Sequence, residues 1–119
     1  MLALAIAAAL ANQSATPAPP VPTVIYGVGL RPCSDWTRET RAPSSQEQWI
    51  FKGWIGGFFS GLQLLNNAEG RPDFMKDMNM EKVFVRIDAY CAANPTVKIG
   101  HAASVLSAEL FGAVLSERR

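Results

Sequence analysis

The chain has 119 residues, with 11 Lys and Arg against 10 Asp and Glu for a formal net charge of +1, and 49% of it is apolar. Charge so evenly balanced leaves no electrostatic footprint for nucleic acid or for an anionic membrane surface. The length allows one modest core and excludes two.

Met1 to Ala11 (MLALAIAAALA) is an uninterrupted apolar run ending in Ala9-Leu10-Ala11. It fits a signal-peptide h-region with an A-x-A cleavage site, so residues 1–11 are expected to be removed and the protein to reach the periplasm or the exterior. No Lys or Arg precedes the run. Residues 12–25 shift to Pro, Ala, Ser and Thr, and their four prolines remove backbone donors and favour an extended linker. Residues 26–119 then form the expected single α-helical domain.

Arg31 to Arg41 reads as a short helix opening at Pro32 or Ser34, with Asp35 in a first turn where a negative charge suits the helix dipole. It carries Cys33, whose only possible partner in the chain is Cys91. Their separation fits neither C-x-x-C redox spacing nor a zinc-ligand pattern. Two uses stay open, a disulfide or a pair of reduced core thiols. A disulfide closing so long a loop stabilises by roughly 4 kcal/mol, and an exported chain favours it.

Ser44 to Asn67 is apolar on nearly every side and reads as a buried central helix, opened by a Ser44/Glu47 capping box. Ile50, Trp54, Phe58, Leu62 and Leu65 share one helical face, and Phe51, Ile55 and Phe59 make a second beside it. Gly53, Gly57 and Gly61 lie four apart on a third. Each glycine in a helix interior costs about 1 kcal/mol relative to alanine, so the stripe is expected to mark close packing against another helix. Trp49 to Leu65 barely reaches membrane-spanning length and contains Lys52 and Gln63, so it is read as the core of a helical bundle, with no transmembrane span in the mature protein.

Gly70 and Pro72 stop this helix. In the connection that follows, Met75, Met78 and Met80 serve packing or form a soft apolar binding surface. Asn79 caps a helix from Met80 to Ala93 whose Val83, Ile87, Tyr90 and Cys91 share one face, and Asn94-Pro95 ends it. A last helix over about residues 96–115 presents Ile99, Ala103, Leu106, Leu110 and Val114. No segment alternates with strand period. The expected class is all-α: three long helices and one or two short ones around a buried central helix, stapled by one disulfide.

Gly57-Phe-Phe-Ser60-Gly61 has the wrong spacing for a nucleophile elbow, and the Gly27-Val-Gly29 loop lacks a dinucleotide-binding context. His101, the single histidine, has no metal partner at helical spacing and reads as a surface residue. Asp88 borders the Cys91 face and is read as a structural polar group joining that helix to the N-terminal part. No catalytic set, metal site or cofactor is expected.

Cys33-x-x-Trp36, Trp54-Ile-x-Gly-Phe58-x-Ser-Gly61 and Ile87-Asp-x-Tyr-Cys-x-x-Asn-Pro95, in that order, resemble small exported bacterial proteins of the HdeA-like and Rap1a-like helical fold, most of them uncharacterised. The resemblance spans roughly residues 26–115. It implies a Cys33–Cys91 disulfide and a protein-binding module rather than an enzyme: an envelope-stress chaperone holding unfolded clients, or an immunity protein against a secretion-system effector. A homodimer is a further option. The alternative by class is a small hydrolase or a hydrolase inhibitor.

Overall fold

The computed structural model describes residues 25–42 and 44–117. The expected signal peptide and nearly all of the linker lie outside the described residues. A 3-10 turn at Gly27–Leu30 leads into α1 (Cys33–Arg41), followed by α2 (Glu47–Ala68), α3 (Met80–Ala93) and α4 (Ile99–Glu117). No strand occurs among the described residues, and the fold is all-α, with Cys33 and Cys91 joined in a disulfide.

One of these helices begins where local chemistry specifies. The Asn79 side chain accepts from the backbone N–H of Lys82, satisfying a donor that α3 cannot pair itself. α1 has no side-chain cap. Its first amides donate instead to the carbonyls of Val97 (from Cys33, 2.7 Å) and Pro95 (from Ser34, 2.9 Å), while Ile99 N–H donates to Arg31 O at 2.9 Å. The entries to α1 and α4 thus satisfy one another, and α1 is fixed against the loop that follows α3.

α2 starts three residues later than Ser44, at Glu47, and the expected capping box does not form. Its N-cap is Gln46, already in helical conformation, without a side-chain bond. Ser45 donates instead to Glu39 on α1 at 2.5 Å. At the other end Gly70 takes a left-handed conformation, φ 66°, as the stop signal requires. The buried Asn66 donates to Pro72 O at 2.6 Å, folding the exit back on the helix.

The core joins Cys33 and Trp36 of α1, Phe51, Ile55 and Phe59 of α2, Phe74 of the connection that follows, Val83, Ile87 and Cys91 of α3, and Ile99, Ala102, Ala103, Leu106 and Leu110 of α4. Fully burying an apolar side chain of this size stabilises by about 1.5–3 kcal/mol, so these faces set the topology. The central helix is buried along one face only. Phe51, Ile55 and Phe59 are inside, Trp54, Phe58 and Leu62 are half-buried, and Ile50 and Leu65 of the other expected face are exposed.

The glycine stripe needs a larger correction. A Cβ built on Gly53, Gly57 or Gly61 meets nothing within 4 Å among the described residues, so none of the helices α1, α3 and α4 packs there. The physical reason is angular. At 100° per residue Gly57 stands about 200° round from Ile55, on the side opposite the core. Close approach occurs instead at two glycines outside the stripe. A Cβ on Gly29 falls 2.2 Å from Trp54 Cζ2, and one on Gly100 falls 2.7 Å from Ile25 Cδ1 and 3.1 Å from Gly29 O. The 3-10 turn is thereby clamped between α2 and α4, and Trp54 Nε1 donates to Tyr26 O at 2.9 Å to hold it.

Among the described residues α4 is the one helix long and apolar enough to cross a membrane by length and composition. Its Ile99, Ala102, Ala103, Leu106 and Leu110 side chains are buried in the core.

Candidate functional site

The sequence-derived residues fall into three places. The first is the junction of α1 and α3. Cys33 and Cys91 are fully buried with Cα atoms 4.8 Å apart. One turn along, Trp36 Nε1 donates to Asp88 Oδ1 at 2.5 Å. Asp88 therefore links α3 to the N-terminal part of the domain by receiving the only polar atom of a buried indole, which is costly to leave unpaired. It is otherwise exposed to solvent.

Around α1 the electrostatics are local. Arg31 Nε donates to Asp35 Oδ2 at 2.6 Å and holds that carboxyl below its ordinary pKa against the opposing effect of burial, with help from Arg38. The hydrogen bond from Ser45, and then that from Arg38, lower the pKa of Glu39. These shifts come from surface pairing rather than from a reactive cleft. Among the described residues no three His, Cys, Asp or Glu side chains are grouped so as to hold a metal ion. His101 and Ser60 are exposed on different helices.

The second place is where the 71–79 connection crosses α2 and meets α3. Phe74 is buried and stacks on Phe111 with ring centroids 4.1 Å apart, anchoring the connection to α4. The Lys76–Glu117 ion pair at 2.8 Å ties the same segment to the end of that helix. Met75, Met78 and Met80 are half-buried and pack against the core. Their outer surfaces also line two shallow grooves. One, of about 390 Å³, runs between Phe59, Ser60, Gln63 and Leu64 on one side and Met75 and Met80 on the other. The second, of about 370 Å³, is formed by Met78, Glu81, Lys82, Val85 and Arg86. Packing and surface roles thus coexist in the same residues. Sequence spacing did not single out Val85, which is 66% exposed. It lies between Glu81 and Arg86, so it read as part of a solvated face.

The third place is the outward side of α2. Trp49, Ile50, Leu64 and Leu65 are 67%, 58%, 72% and 57% exposed, with Gly53, Gly57 and Gly61 between them. No charged residue occurs between Lys52 and Glu69. Lys52 itself lies over the rings of Trp49 and Phe84, 5.3 Å from each centroid, and so covers the flank of the helix.

The arrangement can bind apolar groups by contact. Among the described residues it brings together no nucleophile, base and orienting group of the kind acyl or phosphoryl transfer needs. No family model, curated protein or solved structure matches the chain.

Proposed function

We propose that the chain is a disulfide-stapled helical protein-binding module of the bacterial periplasm or exterior, which takes apolar segments of unfolded client proteins in the manner of an envelope-stress chaperone. The observation that carries this reading is the pair of methionine-lined grooves at the junction of α2, the 71–79 connection and α3. Methionine is unbranched and polarizable, so a surface built from it adapts to side chains of different shape. Glu81, Lys82 and Arg86 rim the second groove with both charge signs, which suits varied sequences better than one charged partner.

The Cys33–Cys91 disulfide is compatible with an oxidising compartment outside the cytoplasm. It keeps the core closed while apolar surface stays available. The test is light scattering during dilution of a chemically unfolded client protein. Equimolar chain is expected to suppress the scatter of several unrelated clients. Suppression of none of them overturns the chaperone reading, and tight binding of one protein alone replaces it with a dedicated inhibitor such as an immunity protein.

A further inference from the structure

The charges of α1 are sorted by side. Ser34, Thr37, Arg38 and Arg41 recur at i, i+3, i+4 and i+7 and so share one face. Asp35 and Glu39 stand on the next, bonded to Arg31 and Ser45. Arg38 is on the border, with Nη1 donating to Asp35 and Nε to Glu39, each at 3.0 Å, while its Nη2 is left over. Arg41 forms no ion pair among the described residues. Arg31, Arg38 and Arg41 thus meet two carboxylates, and the unmatched positive charge stands on the Ser34 face.

That face closes against the end of α3, where Ala92 and Pro95 complete a cavity of about 310 Å³ over Cys91. Its polar side chains are two guanidinium groups and two hydroxyls, and no carboxylate lines it. The Thr37 hydroxyl is buried without a partner, and Ser34 is exposed at the entry of the helix. The negative end of α3 borders the same cavity, but its carbonyls are partly neutralised. Asn94 donates its N–H to Cys91 O at 3.2 Å and its Nδ2 to Tyr90 O at 2.9 Å, and Ser34 N–H donates to Pro95 O at 2.9 Å.

Guanidinium forks match carboxylate and phosphate geometry alike. The number of donors decides between them. Two arginines and two hydroxyls around one cavity suit a group with three terminal oxygens and close to two negative charges, which is a phosphate monoester, better than the two oxygens of a carboxylate. Ala92 and Pro95 then offer apolar contact to the carbon part of the ligand. We propose that the cavity between α1 and the end of α3 binds a small organic phosphate monoester, its phosphate held by Arg41 and by Nη2 of Arg38. The site shares no residue with the methionine grooves and stands independently of the chaperone reading.

The test is calorimetric titration of the intact chain with phenyl phosphate, inorganic phosphate and benzoate. Phenyl phosphate is expected to bind saturably with a Kd of about 0.1–1 mM, and both other probes more weakly. Arg41→Gln removes an exposed group without an ion partner, so it should unfold like the wild-type chain and weaken phenyl phosphate binding about tenfold or more. Arg71→Gln, at an exposed arginine of the connection after α2, should leave binding unchanged. No saturable binding of phenyl phosphate up to about 10 mM overturns the proposal, as does an Arg41→Gln variant that binds like the wild-type chain or an equal loss in Arg71→Gln. Benzoate or inorganic phosphate binding as tightly as phenyl phosphate overturns the assignment to a monoester.

Discussion

Trp36 and Asp88 form the second rung of a ladder whose first rung is the Cys33–Cys91 disulfide. Both rungs join α1 to α3, and each helix places its two members three residues apart, so the covalent and hydrogen-bonded links lie on facing sides of antiparallel helices. Removing the first rung with Cys33→Ala is expected to cost about 4 kcal/mol. Removing the second with Asp88→Ala is expected to cost about 1–2 kcal/mol, since it orphans a buried indole N–H beside solvent, while Asp88→Asn keeps an acceptor and most of the stability. Urea midpoints at constant m-value check the order. Equal midpoints for Asp88→Ala and the wild-type chain contradict the role given to this bond.

The glycines divide by position. Gly57→Ala, on an open helix surface, is expected to stabilise the monomer by roughly 1 kcal/mol through helix propensity. Gly29→Ala drives a methyl group into the Trp54 ring and is expected to destabilise by about 1–3 kcal/mol or more. Thermal unfolding of dilute samples separates the two. A melting temperature lowered by Gly57→Ala and unaffected by Gly29→Ala shows the opposite packing.

Much of this was legible in the chain. Asn79 and Pro95 mark α3 through interactions a few residues long, and Ile99, Leu106 and Leu110 share a face that no other arrangement of α4 can bury. The glycine stripe was not legible in the same way. Periodicity tells which residues share a face, but α2 carries apolar residues on several faces, and only the positions of α1, α3 and α4 decide which of them goes inside. Gly29 and Gly100 matter because Trp54 and Ile25 arrive from distant sequence, and nothing in the Gly27-Val-Gly29 loop announces a tryptophan above it. The Ser44/Glu47 capping box likewise does not form, since α2 begins only at Glu47 with Gln46 as its N-cap.

Acid is expected to loosen the α1 end of the molecule. Asp35 and Glu39 both have pKa values lowered in the folded state, the first chiefly by Arg31 and the second chiefly by Ser45. Groups shifted in this direction contribute stability that is fully present above their unfolded pKa and is lost as pH falls through the folded one. Stability is therefore expected to be flat from neutrality to about pH 5 and to decline below about pH 4. Asp35→Asn should be less stable than the wild-type chain at neutral pH and should shrink that decline. Urea midpoints across the pH range show it, and an acid limb unchanged by Asp35→Asn assigns the loss to other carboxylates.

Binding through an apolar surface, rather than through a reacting group, is the claim on which the account depends. Its most direct test compares suppression of client aggregation by Val85→Asp and by His101→Ala, two exposed positions on different helices. Val85→Asp sets a charge in the Met78 groove and is expected to cut suppression severalfold while unfolding like the wild-type chain, whereas His101→Ala should suppress as the wild-type chain does. A folded Val85→Asp variant with full suppression, or a folded His101→Ala variant that has lost it by orders of magnitude, contradicts the account.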